Sequence, residues 1–146
     1  MKPTLPDIEG PFYKEGAPFL PLTNNPNLNL FGMVYNTDGE PIPALLDFWQ
    51  ADENGKYDND GYKFRGKVFA DLLGYKVQTI RPGSYQIDEH EYRCSHIHVK
   101  VTAIGFKTLV TQLYFKDDKY NDSDEWFDSS RIISDDGQFN FVLEEA

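Results

Sequence analysis

The stretch Thr79–Val101, TIRPGSYQIDEHEYRCSHIHVKV, decides how this chain is read. Its last part, HIHVKV, alternates polar and apolar residues with the period of a half-buried β-strand. His96 and His98 therefore project to one face with Ile97 turned to the other, an arrangement that a helix does not give at this spacing, and the two imidazoles can share one metal ion. Upstream, Arg81-Pro82-Gly83 marks a turn, and Tyr85 follows it.

Two imidazoles alone do not name a metal, because neutral nitrogen ligands suit zinc, copper, iron and nickel alike. A second segment narrows the choice. WQADENGKY, Trp49–Tyr57, ends on another tyrosine where a strand meets a turn. If Tyr57 and Tyr85 both reach the histidines, the donor set is two phenols and two imidazoles. A phenol with a free pKa of about 10 must lose its proton to ligate, which calls for a hard, highly charged cation. Ferric iron answers that demand better than zinc, whose usual ligands are thiolates, imidazoles and carboxylates.

Composition sets the outer limits. At 146 residues, with 40% hydrophobic and 26% charged, the expectation is one compact domain over residues 1–146. A net charge of -10 speaks against nucleic acid or an anionic membrane as partner, since both select a basic face. Cys94 is the only cysteine, so no internal disulfide is expected and a reducing compartment suits the chain. The segment MKPTLPDIEGPFY has no apolar signal core, and nowhere is there a run of about 18 apolar residues, so a cytoplasmic location is expected.

Residues 1–27 hold six of the nine prolines and no periodicity, which reads as an extended arm; within it Gly10–Tyr13, GPFY, would serve as a lid or a clamp. From Leu28 short apolar runs alternate with turn signals. NLNLFGMVYNTDGEPI reads as a strand, a Thr-Asp-Gly turn and a return; ALLDFWQA, Tyr62–Ala70, Tyr75–Ile80, His96–Ala103, TLVTQLYF and Gln138–Leu143 are further strands. The acidic loop from Asp117 to Ser130 has room for a helical turn around Trp126 and Phe127. About eight or nine strands without a long helical pattern predict an all-β fold, an antiparallel β-sandwich. Phe48 and Trp49 read as core, and His90, in the polar run DEHEY, as surface.

Taken in order, Gly10-Pro11-Phe12-Tyr13, GEPIPALLDFWQADENGKY, FRGKVFADLLGYKVQTIRPGSY, RCSHIHVKV and TQLYF resemble the intradiol ring-cleavage dioxygenases, the non-haem Fe(III) enzymes that include catechol 1,2-dioxygenase and protocatechuate 3,4-dioxygenase. The resemblance implies iron held by Tyr57, Tyr85, His96 and His98, with O2 as co-substrate and a small aromatic diol cleaved between its hydroxyls to a muconate-type diacid. It implies that Tyr85 is the ligand released when substrate binds and then acts as its base, that Arg93 stabilises negative charge building on the ring, and that Gln112 lies beside the substrate. Charge balance agrees: ferric iron with two phenolates and a hydroxide sums to zero, as does ferric iron with a doubly ionised diol and Tyr57 alone. Where the family commonly carries Arg-Pro-Ala-His, this chain has Arg93-Cys94-Ser95-His96. Lys14, Arg81 and Lys100 are the candidates for recognising a carboxylated ring. The chain lacks the helical region by which catechol 1,2-dioxygenases dimerise, so a homo-oligomer would use another interface.

Two rival readings are a transthyretin-like β-sandwich that binds surfaces or sugars without catalysis, and a zinc or copper site built on His96 and His98 alone. Metal content and colour separate all three.

Overall fold

The structure, a computed structural model, describes residues 1–19 and 22–146. Its organising element is a four-stranded antiparallel sheet. β3 (Ala44–Gln50) lies between β4 (Arg65–Ala70) and β8 (His96–Thr102), and β9 (Leu109–Tyr114) pairs with the far side of β8. Leu46, Phe48, Ile97, Val99, Val101 and Leu113 point from this sheet into the core. Facing them are Leu30, Val34, Tyr75, Val77, Phe141 and Leu143, from the antiparallel pair β1 (Leu28–Gly32) with β5 (Tyr75–Thr79) and the pair β2 (Val34–Asn36) with β10 (Phe141–Leu143). Two layers closing on one apolar interior make the expected sandwich.

Several details differ from the sequence reading. Among the described residues there are ten strands, because β6 (Tyr85–Gln86) and β7 (Tyr92–Arg93) form a two-residue hairpin too short to show a period. The run from Leu28 to Asn36 is broken at Met33, and its halves go to different partners: β1 pairs with β5, while β2 pairs with β10 in parallel, an exception to the antiparallel rule. The return after the Thr-Asp-Gly turn is one bridge, Tyr35 to Pro41. The acidic loop holds 3-10 turns at Asn121–Ser123 and Ser129–Arg131, on either side of the expected position rather than at it.

Trp49 is the instructive correction. It is buried, yet it does not join the core cluster that contains Phe48. Consecutive strand residues face opposite ways, so with Phe48 inside, Trp49 must lie on the other face of the sheet. That outer face carries the chemistry. In register across it stand Arg65, Trp49, His98 and Gln112, and one row further on His96 opposite Tyr114.

The arm makes this face an interior. The amide of Asp7 donates to the Val110 carbonyl at 2.9 Å, fastening the arm along β9, and the amide of Lys67 donates to the Pro18 carbonyl at 2.8 Å, fastening it along β4. The chain between those edges crosses the outer face of the sheet. No helix among the described residues is long and apolar enough to cross a membrane.

Candidate active site

Under the arm, three of the six singled-out side chains meet directly. The Tyr57 hydroxyl is 3.3 Å from His96 Nε2, and His96 Nε2 is 3.2 Å from His98 Nε2. The Tyr85 ring stands edge-on to that of Tyr57, with centroids 5.8 Å apart, and lies 5.6 Å from that of His96. Three donor atoms thus converge, with the Tyr85 ring beside them.

Interlocking loops bring the tyrosines there. A Cβ on Gly55 would lie 2.5 Å from the Ser84 carbonyl oxygen, and one on Gly83 would lie 2.4 Å from that of Glu53. Only glycine permits both approaches, so the Asn-Gly before Tyr57 and the Pro-Gly before Tyr85 form one interlocked pair of turns. The Gly83 amide donates to the Asp52 carbonyl at 2.8 Å and completes the contact.

The protonation states suit a cation. His96 Nδ1 lies 2.7 Å from the Cys94 carbonyl and so carries the proton, which leaves the Nε2 lone pair facing the cluster. Burial, with help from the Arg93 charge, depresses His96 to about 3 and keeps it neutral. His98 is pushed well below its ordinary value by burial and by His96, and is neutral too. Burial raises both phenols; for Tyr57 the Tyr85 phenol adds to the rise, whereas for Tyr85 the Arg93 charge opposes it. Two neutral imidazoles and two phenols that only a nearby positive charge would ionise are a donor set suited to a hard cation. The spacing agrees, since two atoms bound to one metal at about 2.1 Å stand roughly 3.0–3.4 Å apart.

Around the donors the surroundings are tightly braced. Trp49 stacks on His98 with centroids 4.8 Å apart and planes 9° from parallel; Trp49 Nε1 and His98 Nδ1 are both buried without a partner among the described residues. Arg93, buried, donates through Nη2 to Gln112 Oε1 at 2.5 Å and through Nε to Asp124 at 2.9 Å. Gln112 is engaged at both ends: its Oε1 accepts from Arg93, and its Nε2 donates to the Ile8 carbonyl at 3.0 Å. It therefore braces Arg93 and the arm.

Cys94 is buried and its thiol is pushed up by that burial, which leaves it inert. Its amide donates to Asp124 Oδ2 at 2.9 Å, a bond that a proline at this position could not make. His90 is exposed, as expected. Arg65, given no role by the sequence, donates to the carbonyls of Asp58, at 2.9 Å, and Phe12. Phe12 lies against Tyr57, so Gly10–Tyr13 is the roof of the cluster.

Fold and site together define an all-β protein with two buried imidazoles and two half-buried phenols clustered beneath an N-terminal strap. The chain belongs to the intradiol ring-cleavage dioxygenase family: a family model described as Dioxygenase matches residues 8–135. It is 36% identical to chlorocatechol 1,2-dioxygenase of Rhodococcus opacus over 80% of this chain and 58% of that enzyme, and 32% identical to hydroxyquinol 1,2-dioxygenase of a Rhizobium species over 82% and 50%. The chain thus spans a little over half the length of the curated relatives it matches. Among solved structures it is similar to the dioxygenase domain of a dioxygenase carbohydrate-binding protein fusion from Streptomyces sp. SirexAA-E, at TM-score 0.88 and 36% identity, with 99% of this chain and 100% of that one covered.

Proposed function

We propose that this chain is an intradiol dioxygenase that holds a non-haem ferric iron through Tyr57, Tyr85, His96 and His98 and uses O2 to cleave a small aromatic 1,2-diol between its hydroxyls, giving a muconate-type diacid. The observation that carries this reading is the convergence of Tyr57 Oη, His96 Nε2 and His98 Nε2 in steps of 3.3 and 3.2 Å, with the Tyr85 ring edge-on to Tyr57 at 5.8 Å. A module that only binds surfaces has no use for two buried imidazoles and a phenol that meet in this way. Nor does a site built on the histidines alone account for two half-buried phenols beside them.

Bound iron would supply the positive charge that ionises the diol and the redox partner that brings the ring together with O2. The chain's own groups do the rest. Tyr85, the less buried of the two phenols, is placed to take a proton from an incoming hydroxyl, and the Arg93 charge beside it steadies negative charge in the pocket. Tyr57, under Phe12 and more deeply buried, stays in place. His96 and His98 keep their lone pairs aimed inward through the Cys94 carbonyl and the Trp49 ring. The strap keeps bulk water from the reacting ring.

The names of the relatives supply the substrate class, catechols and hydroxyquinol. The three cations available for a carboxylated ring are occupied elsewhere. Arg81 pairs with Asp117 at 2.6 Å, Lys14 donates to the Gly61 carbonyl at 3.2 Å, and Lys100 lies over the Tyr13 ring. An uncharged diol ring is favoured accordingly.

The test is to load the protein with iron, record the visible tyrosinate-to-iron absorption, and follow O2 uptake and ring-product absorbance over a panel of diols. A coloured protein that forms muconate-type products is the expected result. Tyr85→Phe should stay coloured through Tyr57 and lose turnover; a double Tyr57→Phe, Tyr85→Phe variant that is still coloured and active would refute the ligand assignment.

A further inference from the structure

We propose that Asp124 is a positioning residue that fixes Arg93 and the histidine-bearing segment together. The proposal rests on the reading of the site given above. Asp124 lies in the acidic loop, far from the site in sequence, yet its side chain has no exposed surface. One of its oxygens, Oδ2, accepts both the Arg93 Nε proton and the Cys94 amide, each at 2.9 Å, and the other accepts the Trp126 amide at 2.9 Å.

A guanidinium is a planar fork, and a carboxylate fixed at its Nε edge sets the plane of the whole group. The Arg93 plane is held further by the Trp126 ring, 4.9 Å from the guanidinium carbon, and by Gln112 at Nη2. The charge so held is near enough to the Tyr85 phenol to oppose the rise that burial gives it. Through its second bond Asp124 also fixes Cys94, whose carbonyl sets the His96 tautomer. A single buried carboxylate thus orients the charge beside the proposed base and the imidazole across from it. Because the second bond needs an N–H at position 94, it belongs to the Cys94 version of the motif.

Asp124→Asn keeps the shape and removes the charge. In the metal-free protein, the Arg93 Nε–H resonance should be slow to exchange in the parent and move toward the exchange rate and shift of exposed arginines in the variant. In the iron-loaded protein, kcat should fall about 10–100-fold, the range for outer partners of a metal site, with KM within about threefold. In an Arg93→Met background the same substitution should lower kcat by a smaller factor than in the parent, because only the path through Cys94 and His96 remains. Asp124→Glu, which keeps the charge but shifts it by a methylene, should lose turnover with the fold retained, and it decides the matter if the asparagine variant fails to fold. An unchanged Nε–H resonance, or an equal loss in both backgrounds, would make Asp124 a stabilising ion pair only and overturn the proposal. Should no diol be turned over by the parent, the enzymatic reading fails while the resonance still decides the role of Asp124.

Discussion

Phe12 and Tyr57 lie face to face, ring centroids 4.2 Å apart and planes 9° from parallel, so the N-terminal strap is itself a wall of the donor cluster. The Phe12 ring also meets Tyr85 edge-on at 6.4 Å. Phe12→Ala removes both contacts and opens the roof. A loss of about 1–2 kcal/mol in stability is expected, part of it the ~0.5–1.5 kcal/mol that a ring pair adds beyond its buried area. Urea unfolding of the metal-free protein measures the loss, and iron release to a chelator should be faster in the variant.

The strap is latched ahead of that roof by a buried ion pair. Asp7 Oδ2 accepts from Arg131 Nη1 at 2.8 Å and from the Tyr114 hydroxyl at 2.6 Å, and both ion-pair side chains are only 5% exposed. Asp7→Asn leaves buried Arg131 with only the more exposed Asp128, 3.3 Å from Nη2, as counter-charge, which should cost about 3 kcal/mol. Scanning calorimetry should show melting lowered by roughly 6–12 °C for a chain of this size. An unchanged melting temperature would mean that the latch carries no load.

Gly83 tests the interlocked turns. A methyl there must displace the Glu53 carbonyl oxygen at 2.4 Å or the Gly55 amide nitrogen at 2.8 Å, and both belong to the turn that delivers Tyr57. Gly83→Ala should therefore separate Tyr57 from Tyr85 at a cost of about 1–3 kcal/mol. Iron bound per chain, by elemental analysis, should fall more steeply than for an alanine placed at the open Gly105.

Asp47 gives a pH dependence of opposite sign to ordinary acid unfolding. Its carboxyl is raised above the usual carboxylate value, because desolvation by burial outweighs the hydrogen bond from the Tyr13 hydroxyl, at 3.0 Å, and the charges of Lys67, Lys100 and Arg65. The folded state thus binds the Asp47 proton more tightly than the unfolded chain does, so this group favours folding below its unfolded value of about 3.9 and disfavours it once pH passes the folded value. Asp47→Asn should be more stable than the parent at pH 7, and the difference should vanish as pH falls toward about 3. Urea midpoints at several pH values check it; a variant less stable than the parent at neutral pH would contradict the desolvation argument.

The sandwich was legible because each strand of the large sheet is long enough to be read. His96–Thr102 alternates over seven residues, which sets the face of both imidazoles, whereas Ala44–Gln50 is a mostly apolar run covered on both sides. The rule that put both imidazoles on one side also places Trp49 with them once Phe48 is known to be inside; alone, an aromatic between apolar neighbours reads as core. The split at Met33 and the parallel return of β10 were hidden, because three-residue strands carry no period and pairing across the chain is not a local property. Asp124 lay in a run of acids typical of a solvated loop, and nothing local told it apart from its exposed neighbours. Nor did the exchange of proline for Cys94 show by itself that the freed amide is spent on that carboxylate.

By itself, then, the order of residues determined the strands of the large sheet, the two turns that need glycine, and the shared face of His96 and His98, since alternation and turn chemistry act over a few residues; Arg93 and Gln112 were singled out by the family resemblance alone. Only the tertiary structure decided that the proline-rich arm spans the sheet from β9 to β4 as a roof, that Gln112 braces Arg93, and that Asp7 and Asp124 are buried partners of arginines. Those choices depend on desolvation, which a charged side chain meets only when distant segments close over it.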